Sequence, residues 1–198
     1  MIGRRPVHDR GILDALEAID PERFAGEIWR VARKGRDALR GSAANGRWSP
    51  SSGEFEVLYT SLKPDGALAE IGYRLSLEPV WPSRIAHELH LIEVETKRTL
   101  RFAELQSLAP LGVAIERYRT FEYQTTQAIA AAAYFLEFDS LIVPSARFPC
   151  ANLVIFAERV TGLVLRNSQS VDWDSWRGSM RAESARGKAD SRSRATAK

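Results

Sequence analysis

The chain predicts an α+β fold, on three observations. Tyr118 to Leu136 carries alanines at 128 and 130–133 with no breaker between Gln124 and Ala133, which favours a helix. Leu141-Ile142-Val143 and Leu153-Val154-Ile155-Phe156 are short apolar runs of strand length. Phe55 to Thr60 has the β-branched and aromatic content of another strand. Strands mixed with helices that do not alternate strictly with them define the class.

The elements follow in chain order. Ile12, Leu13, Leu16 and Ile19 recur at helical spacing and predict a short amphipathic helix over 11–19. Asp20-Pro21-Glu22 offers an N-cap, a first-turn proline and an early acid, so a second short helix or turn is expected before Trp29. Ile28 to Ala32 reads as a strand, and Lys34 to Gly53 as a loop closing in a turn at Ser49-Pro50. After the strand at 55–60, Ala67 to Leu77 predicts a helix with Glu70 in its first turn, where the helix dipole favours a carboxylate. Leu89, Leu91 and Glu93 alternate with His90, Ile92 and Val94, which predicts a strand of ambiguous buried face, with a further short strand over 99–102. The long alanine-rich helix permits close packing on a sheet. Pro144 to Pro149 is then a loop between the last two apolar strands, and the tryptophans of Asp172-Trp173-Asp174-Ser175-Trp176 are expected to pack back on the body.

At 198 residues the chain suits one well-buried core. Its formal charge of +3 belongs to the C-terminus, where residues 177–198 hold seven Lys/Arg against two Asp/Glu and the remainder is close to neutral. From Gly178 onward hardly any large apolar residue occurs, which predicts a disordered basic tail. Cys150 is alone, so no internal disulfide forms, and a small side chain in a reducing compartment is expected. Acidic residues at 9, 14 and 17 stand where a signal peptide needs an apolar run, and no segment approaches the length of a membrane span. A cytoplasmic protein follows.

Several chemistries are set aside. His87-Glu88-Leu89-His90 spaces its histidines three apart where a zinc helix needs four, so a surface or strand-edge pair is expected. With one cysteine and three scattered histidines, no metal site is expected. Neither a Gly-x-Gly-x-x-Gly fingerprint nor a phosphate-binding loop occurs, which removes the main support for hydride transfer. No Gly-x-Ser-x-Gly elbow surrounds Ser145, so it is not read as a nucleophile.

The residues left standing beside turns and strand ends are Arg30 in Trp29-Arg30-Val31, Arg47 in Asn45-Gly46-Arg47-Trp48, Tyr59, Glu70 in Ala67-Leu68-Ala69-Glu70, Ser145 in Val143-Pro144-Ser145-Ala146, and Asn152. Each has a structural alternative: a charge at a strand edge for the arginines, a half-buried strand aromatic, a carboxylate placed for the helix dipole, a turn serine. In order and spacing, however, these motifs over residues 24–160 resemble the RES domain family, named for an arginine, a glutamate and a serine.

The resemblance implies an ADP-ribosyltransferase-like mixed sheet with flanking helices, arranged as an N-terminal helical extension (1–23), a catalytic domain (24–176) and the basic tail (177–198). It implies the toxin half of a bacterial toxin–antitoxin pair acting on NAD as substrate. Members break the nicotinamide–ribose bond, passing ADP-ribose to inorganic phosphate, to water or to a protein. No metal is involved. The implied partner is a cognate Xre-like antitoxin covering the cleft, with no membrane contact, and with nucleic acid met through the antitoxin or weakly through the tail. A partner-binding module without enzymatic activity is the contrasting reading.

By that resemblance Glu70 opposes the cationic charge that develops on the ribose, and Arg30 and Arg47 join it as the catalytic set while binding phosphate oxygens. Tyr59 meets nicotinamide or ribose, and Ser145 and Asn152 complete the NAD-binding set. Asn45 departs from the glycine usual before Gly46-Arg47-Trp48, and Ser49 to Gly53 is a variant turn; both put substrate preference in question.

Overall fold

One long strand organises the molecule. The computed structural model describes residues 8–50, 52–102 and 104–179. Strand β3 (His87–Arg101) pairs along one edge with β1 (Glu22–Arg33), antiparallel from Glu22↔Thr99 to Arg33↔His87. Its other edge is shared: β6 (Val164–Ser170) takes residues 88–93, and β4 (Ser140–Pro144) runs parallel to residues 99–101. β5 (Ala151–Phe156) joins β4 to β2 (Val57–Ser61), and β2 touches β1 at Trp29↔Ser61. The pairings therefore close into a ring, β3-β1-β2-β5-β4 and back to β3, with β6 outside it.

Alternation along the strands sorts the core into layers. Leu58, Ile142, Leu153 and Ile155 pack with Ile28, Ile92 and Val94 between the strands of the ring. Their neighbours Val57, Leu141, Val143, Val154 and Phe156 point to the other face, where α3 (Gln124–Phe135) lays Ile129, Ala130, Ala132 and Ala133 on the sheet. Helix α1 (Arg10–Glu17) is capped by Asp9, whose Oδ1 accepts from Ile12 N at 3.1 Å, and it sinks Leu16 into that same layer at 0% exposure. Helix α2 (Pro64–Ser76) covers Val31 and Leu89 on the remaining face, together with Trp173 from the C-terminal helix α4 (173–179).

The structure departs from the sequence expectations at several places. Asp20-Pro21-Glu22 leads into β1 rather than a helix, because the chain finds a partner along nearly all of β3. The two strands expected at 89–94 and 99–102 are one. α2 begins at Pro64, so Glu70 sits in the second turn and not at the dipole-favoured start. α3 begins at Gln124, and 118–123 is an aromatic turn. His87 and His90 are buried rather than a surface or edge pair: Trp173 Nε1 donates to His87 Nδ1 at 3.1 Å, and His90 Nδ1 lies 2.8 Å from Ser168 Oγ. α4 takes in Arg177 and Gly178, read above as the start of the tail; residues 180–198, the rest of that tail, lie outside the described residues.

Among the described residues no helix is long and apolar enough to cross a membrane, and no cluster of His, Cys, Asp and Glu is placed to hold a metal.

Candidate active site

The mouth of the ring between β1, β2 and α2 opens into a cavity of about 250 Å³. Arg30 reaches it from β1, Tyr59 from β2, Glu70 from α2, and Arg47 from the loop between β1 and β2. A smaller recess of about 60 Å³ continues past Glu70 to Asn152 and Ser61.

Glu70 is the fixed point. Ser145 Oγ donates to its Oε1 at 2.7 Å and Asn152 Nδ2 donates to the same oxygen at 3.1 Å. Ser145 is itself set by the turn after β4, because its hydroxyl oxygen accepts from Arg147 N at 3.1 Å and Phe148 N at 3.2 Å. A serine that accepts two backbone N–H groups has its proton left to give the carboxylate. Asn152 Oδ1 is buried without a partner among the described residues, an acceptor left at the wall of the recess.

The loop carrying Arg47 is closed by Gly46 and Ser49, which exchange backbone hydrogen bonds at 3.0 and 3.3 Å. Gly46 has to be glycine: a Cβ there would meet Tyr59 Oη at 2.6 Å. That close approach lets Trp48 N donate to Tyr59 Oη at 2.9 Å and buries Trp48 in the core. Burial pushes the Tyr59 hydroxyl up to about 12, so it keeps its proton at neutral pH and can donate into the cavity. Asn45, in the place of the usual glycine, ties the same loop to α3: Gln127 Nε2 donates to Asn45 Oδ1 at 2.6 Å and to Gly46 O at 2.8 Å.

Arg47 lies between two rings, its guanidinium carbon 4.5 Å from the centroid of Tyr118 and 4.9 Å from that of Tyr123. Nη2 donates to Thr120 O at 3.2 Å, whereas Nη1 is buried with no partner among the described residues. A buried donor left unpaired costs free energy until an acceptor arrives, which is the condition of a site waiting for an anion. Arg30 is differently employed. Its Nη1 donates to Ala38 O at 2.9 Å and Arg40 O at 2.8 Å, so it holds the β1–β2 loop while lining the cavity. Burial lowers its pKa from the ordinary value, against the attraction of Asp37.

Glu70, Ser145 and Asn152 are thus joined by hydrogen bonds, and Arg30, Arg47 and Tyr59 line the cavity at Glu70 without a hydrogen bond or ion pair to these three. Sequence reasoning missed Tyr118 and Tyr123, which flank Arg47, and Arg147, stacked 3.4 Å over Tyr73. The aromatic density of 118–123 is the available signal, masked in the sequence by the helix-favouring run that follows it. Cys150 lies behind the site, a small, partly buried side chain with its Sγ 3.3 Å from Ser61 Oγ and its pKa raised by burial.

A carboxylate held by two donors, a guanidinium with one unpaired donor and a protonated phenol around one cavity define a candidate active site for an anionic substrate on an α+β fold. The chain belongs to the RES domain family, whose pattern matches residues 27–174. The NAD(+) phosphorylase MbcT of Mycobacterium tuberculosis (strain ATCC 25618 / H37Rv) is 24% identical over 170 residues, 83% of this chain and 91% of that protein. The probable NAD(+) phosphorylase Rv3189 of the same strain is 30% identical over 119 residues, 60% of this chain and 57% of that protein. In the crystal structure of the M. tuberculosis MbcT–MbcA toxin–antitoxin complex, one chain shares the fold at a TM-score of 0.75 and 23% identity, over 86% of this chain and 97% of that one.

Proposed function

We propose that this chain is the toxin of a toxin–antitoxin system and cleaves NAD at the nicotinamide–ribose bond, with inorganic phosphate as acceptor. The observation that carries the reading is the Glu70 carboxylate, fixed by Ser145 and Asn152 at a cavity that also holds the unpaired Nη1 of Arg47. In this reaction a phosphate oxygen attacks C1′ of the nicotinamide ribose while the C1′–N bond breaks. Its electron pair neutralises the pyridinium, so nicotinamide leaves as a neutral molecule and no general acid is needed. Positive charge develops on the ribose, and a carboxylate already oriented there stabilises it without reorganising. Arg47 holds phosphate oxygens, and Tyr59 donates a hydrogen bond toward ribose or nicotinamide.

The name shared by the relatives supports phosphate as acceptor; water or a protein residue would make the same site a glycohydrolase or an ADP-ribosyltransferase. The closed ring of strands with its cleft at one end supports an ADP-ribosyltransferase-like architecture, with residues 24–176 as its catalytic unit. The complex formed by the structural neighbour supports an antitoxin partner, which we take to be Xre-like, seated over the cleft of a cytoplasmic toxin. The test is NAD consumption by the purified chain with and without phosphate, products resolved by mass. Phosphate-dependent release of nicotinamide and a phosphorylated ADP-ribose is expected. Loss of NAD that ignores phosphate would replace phosphorolysis by hydrolysis, and label transferred from NAD to protein would make the chain an ADP-ribosyltransferase.

A further inference from the structure

The cavity that holds Glu70 is too small for a whole dinucleotide. Even with the recess of about 60 Å³ added to its about 250 Å³, it only reaches the bottom of the roughly 300–1,000 Å³ that enclose a drug-sized ligand, and a dinucleotide is larger. Beyond it, on the far side of Tyr73 and Arg147, lies an open groove of about 490 Å³ that shares those two residues as a wall. Trp81, Trp176 and Arg177 line it. Arg147 stands on the dividing ridge, stacked on Tyr73 and within 5.9 Å of the Phe121 ring, and its guanidinium has no hydrogen bond or ion pair among the described residues.

The groove is a built feature. Trp176 lies directly on α2 at Gly72, where any Cβ would collide with its ring. Trp173 packs edge-on to both Trp176 and Trp81, at centroid distances of 5.5 and 5.9 Å, and its indole N–H is held by His87. Arg177 completes the wall, its guanidinium 4.5 Å over the Trp81 ring. A stacked indole and guanidinium offer a purine a π face, and every base has one to return. A free arginine at the ridge matches a pyrophosphate, which has to cross it if the two halves of the ligand occupy the two cavities.

We infer that the groove of Trp81, Trp176 and Arg177 is the subsite for the adenosine half of the substrate, with Arg147 on the pyrophosphate. This rests on the proposal that NAD is bound with its nicotinamide ribose at Glu70. Recognition of the purine is by stacking, so it tolerates changes on the base more readily than loss of the base.

Equilibrium dialysis of labelled AMP and of labelled nicotinamide mononucleotide against the full chain tests it. AMP is expected to bind, and both Trp81→Ala and Arg177→Gln to weaken it about tenfold, while the affinity for nicotinamide mononucleotide changes less than twofold. In NAD turnover the same variants raise KM and leave kcat within twofold. Absence of AMP binding by the unaltered chain, or AMP binding indifferent to both substitutions, overturns the subsite. AMP binding that depends on Trp81 in a chain that does not consume NAD would keep the groove and discard the catalytic reading.

Discussion

Ser145 Oγ donates to Oε1 of Glu70 at 2.7 Å although the two residues lie on different elements, one in the turn after β4 and the other on α2. The serine is oriented by two backbone N–H groups of its own turn, so the carboxylate is held by an already ordered donor. Removing the charge and removing its orientation should therefore have different sizes.

Glu70→Gln is expected to lower kcat for NAD loss by about 10²–10³-fold, the scale found when one preorganised electrostatic group is removed. Circular dichroism and melting temperature should stay near those of the parent chain. Ser145→Ala should cost about tenfold, because Asn152 still holds the same oxygen and the lost hydrogen bond to a charged group is worth about 1.5–3 kcal/mol at most. A serine that acts through the carboxylate adds nothing once the charge is gone, so the double variant should match Glu70→Gln alone. Losses that multiply would separate the two residues.

Arg47→Lys is expected to raise the KM for phosphate about tenfold with little effect on folding. Lysine keeps the charge but loses the planar fork and the double stacking between Tyr118 and Tyr123. Phosphate-dependence curves for the two proteins check this; an unchanged KM would take phosphate away from Arg47.

Gly46→Ala should destabilise the chain by about 1–3 kcal/mol, since the new methyl meets the Tyr59 hydroxyl inside a packed loop. Placing Tyr59→Phe in the same chain removes the nearest clashing atom and should recover part of that loss, read as denaturant midpoints of the four proteins. An alanine variant as stable as the parent would mean that the loop closes without the Gly46–Tyr59 contact.

Much of this arrangement is legible in the residues alone. β2, β4 and β5 read as strands because apolar and β-branched residues crowd both faces, and the alanines of α3 are placed where a helix lies close on a sheet. Arg30, Arg47, Tyr59, Glu70, Ser145 and Asn152 stand out because the motifs that carry them resemble the RES domain family; local rules alone leave each with a structural alternative. β6 does not, because every residue along Val164–Ser170 is exposed and leaves no buried face to alternate with. The start of β1 is hidden by a proline that fits a helix locally and is overruled by pairing with β3. Tyr118, Tyr123 and Arg147 enter the site only through contacts with Arg47 and Tyr73, made across long sequence separations. No window of sequence contains those contacts.

The wall of the distal groove should loosen in acid. His87 Nδ1 accepts the indole N–H of Trp173, so it has to be unprotonated there. Burial lowers its pKa below the ordinary 6.5, Arg33 acts in the same direction, and the hydrogen bond with the Ile85 backbone opposes them. His90, also buried, is lowered too, burial again being the main cause. A histidine depressed in the folded state binds more protons when unfolded, so its contribution is complete above about pH 6.5 and is lost as pH falls from there toward the folded pKa. Denaturant midpoints should accordingly be flat above pH 7 and decline below about pH 6. Glutamine at this position keeps an acceptor for Trp173 and does not titrate, so His87→Gln should make that decline shallower and leave the part owed to His90. If the parent and His87→Gln lose stability in parallel, the proton is being taken up elsewhere and His87 does not hold Trp173 in the way the 3.1 Å hydrogen bond implies.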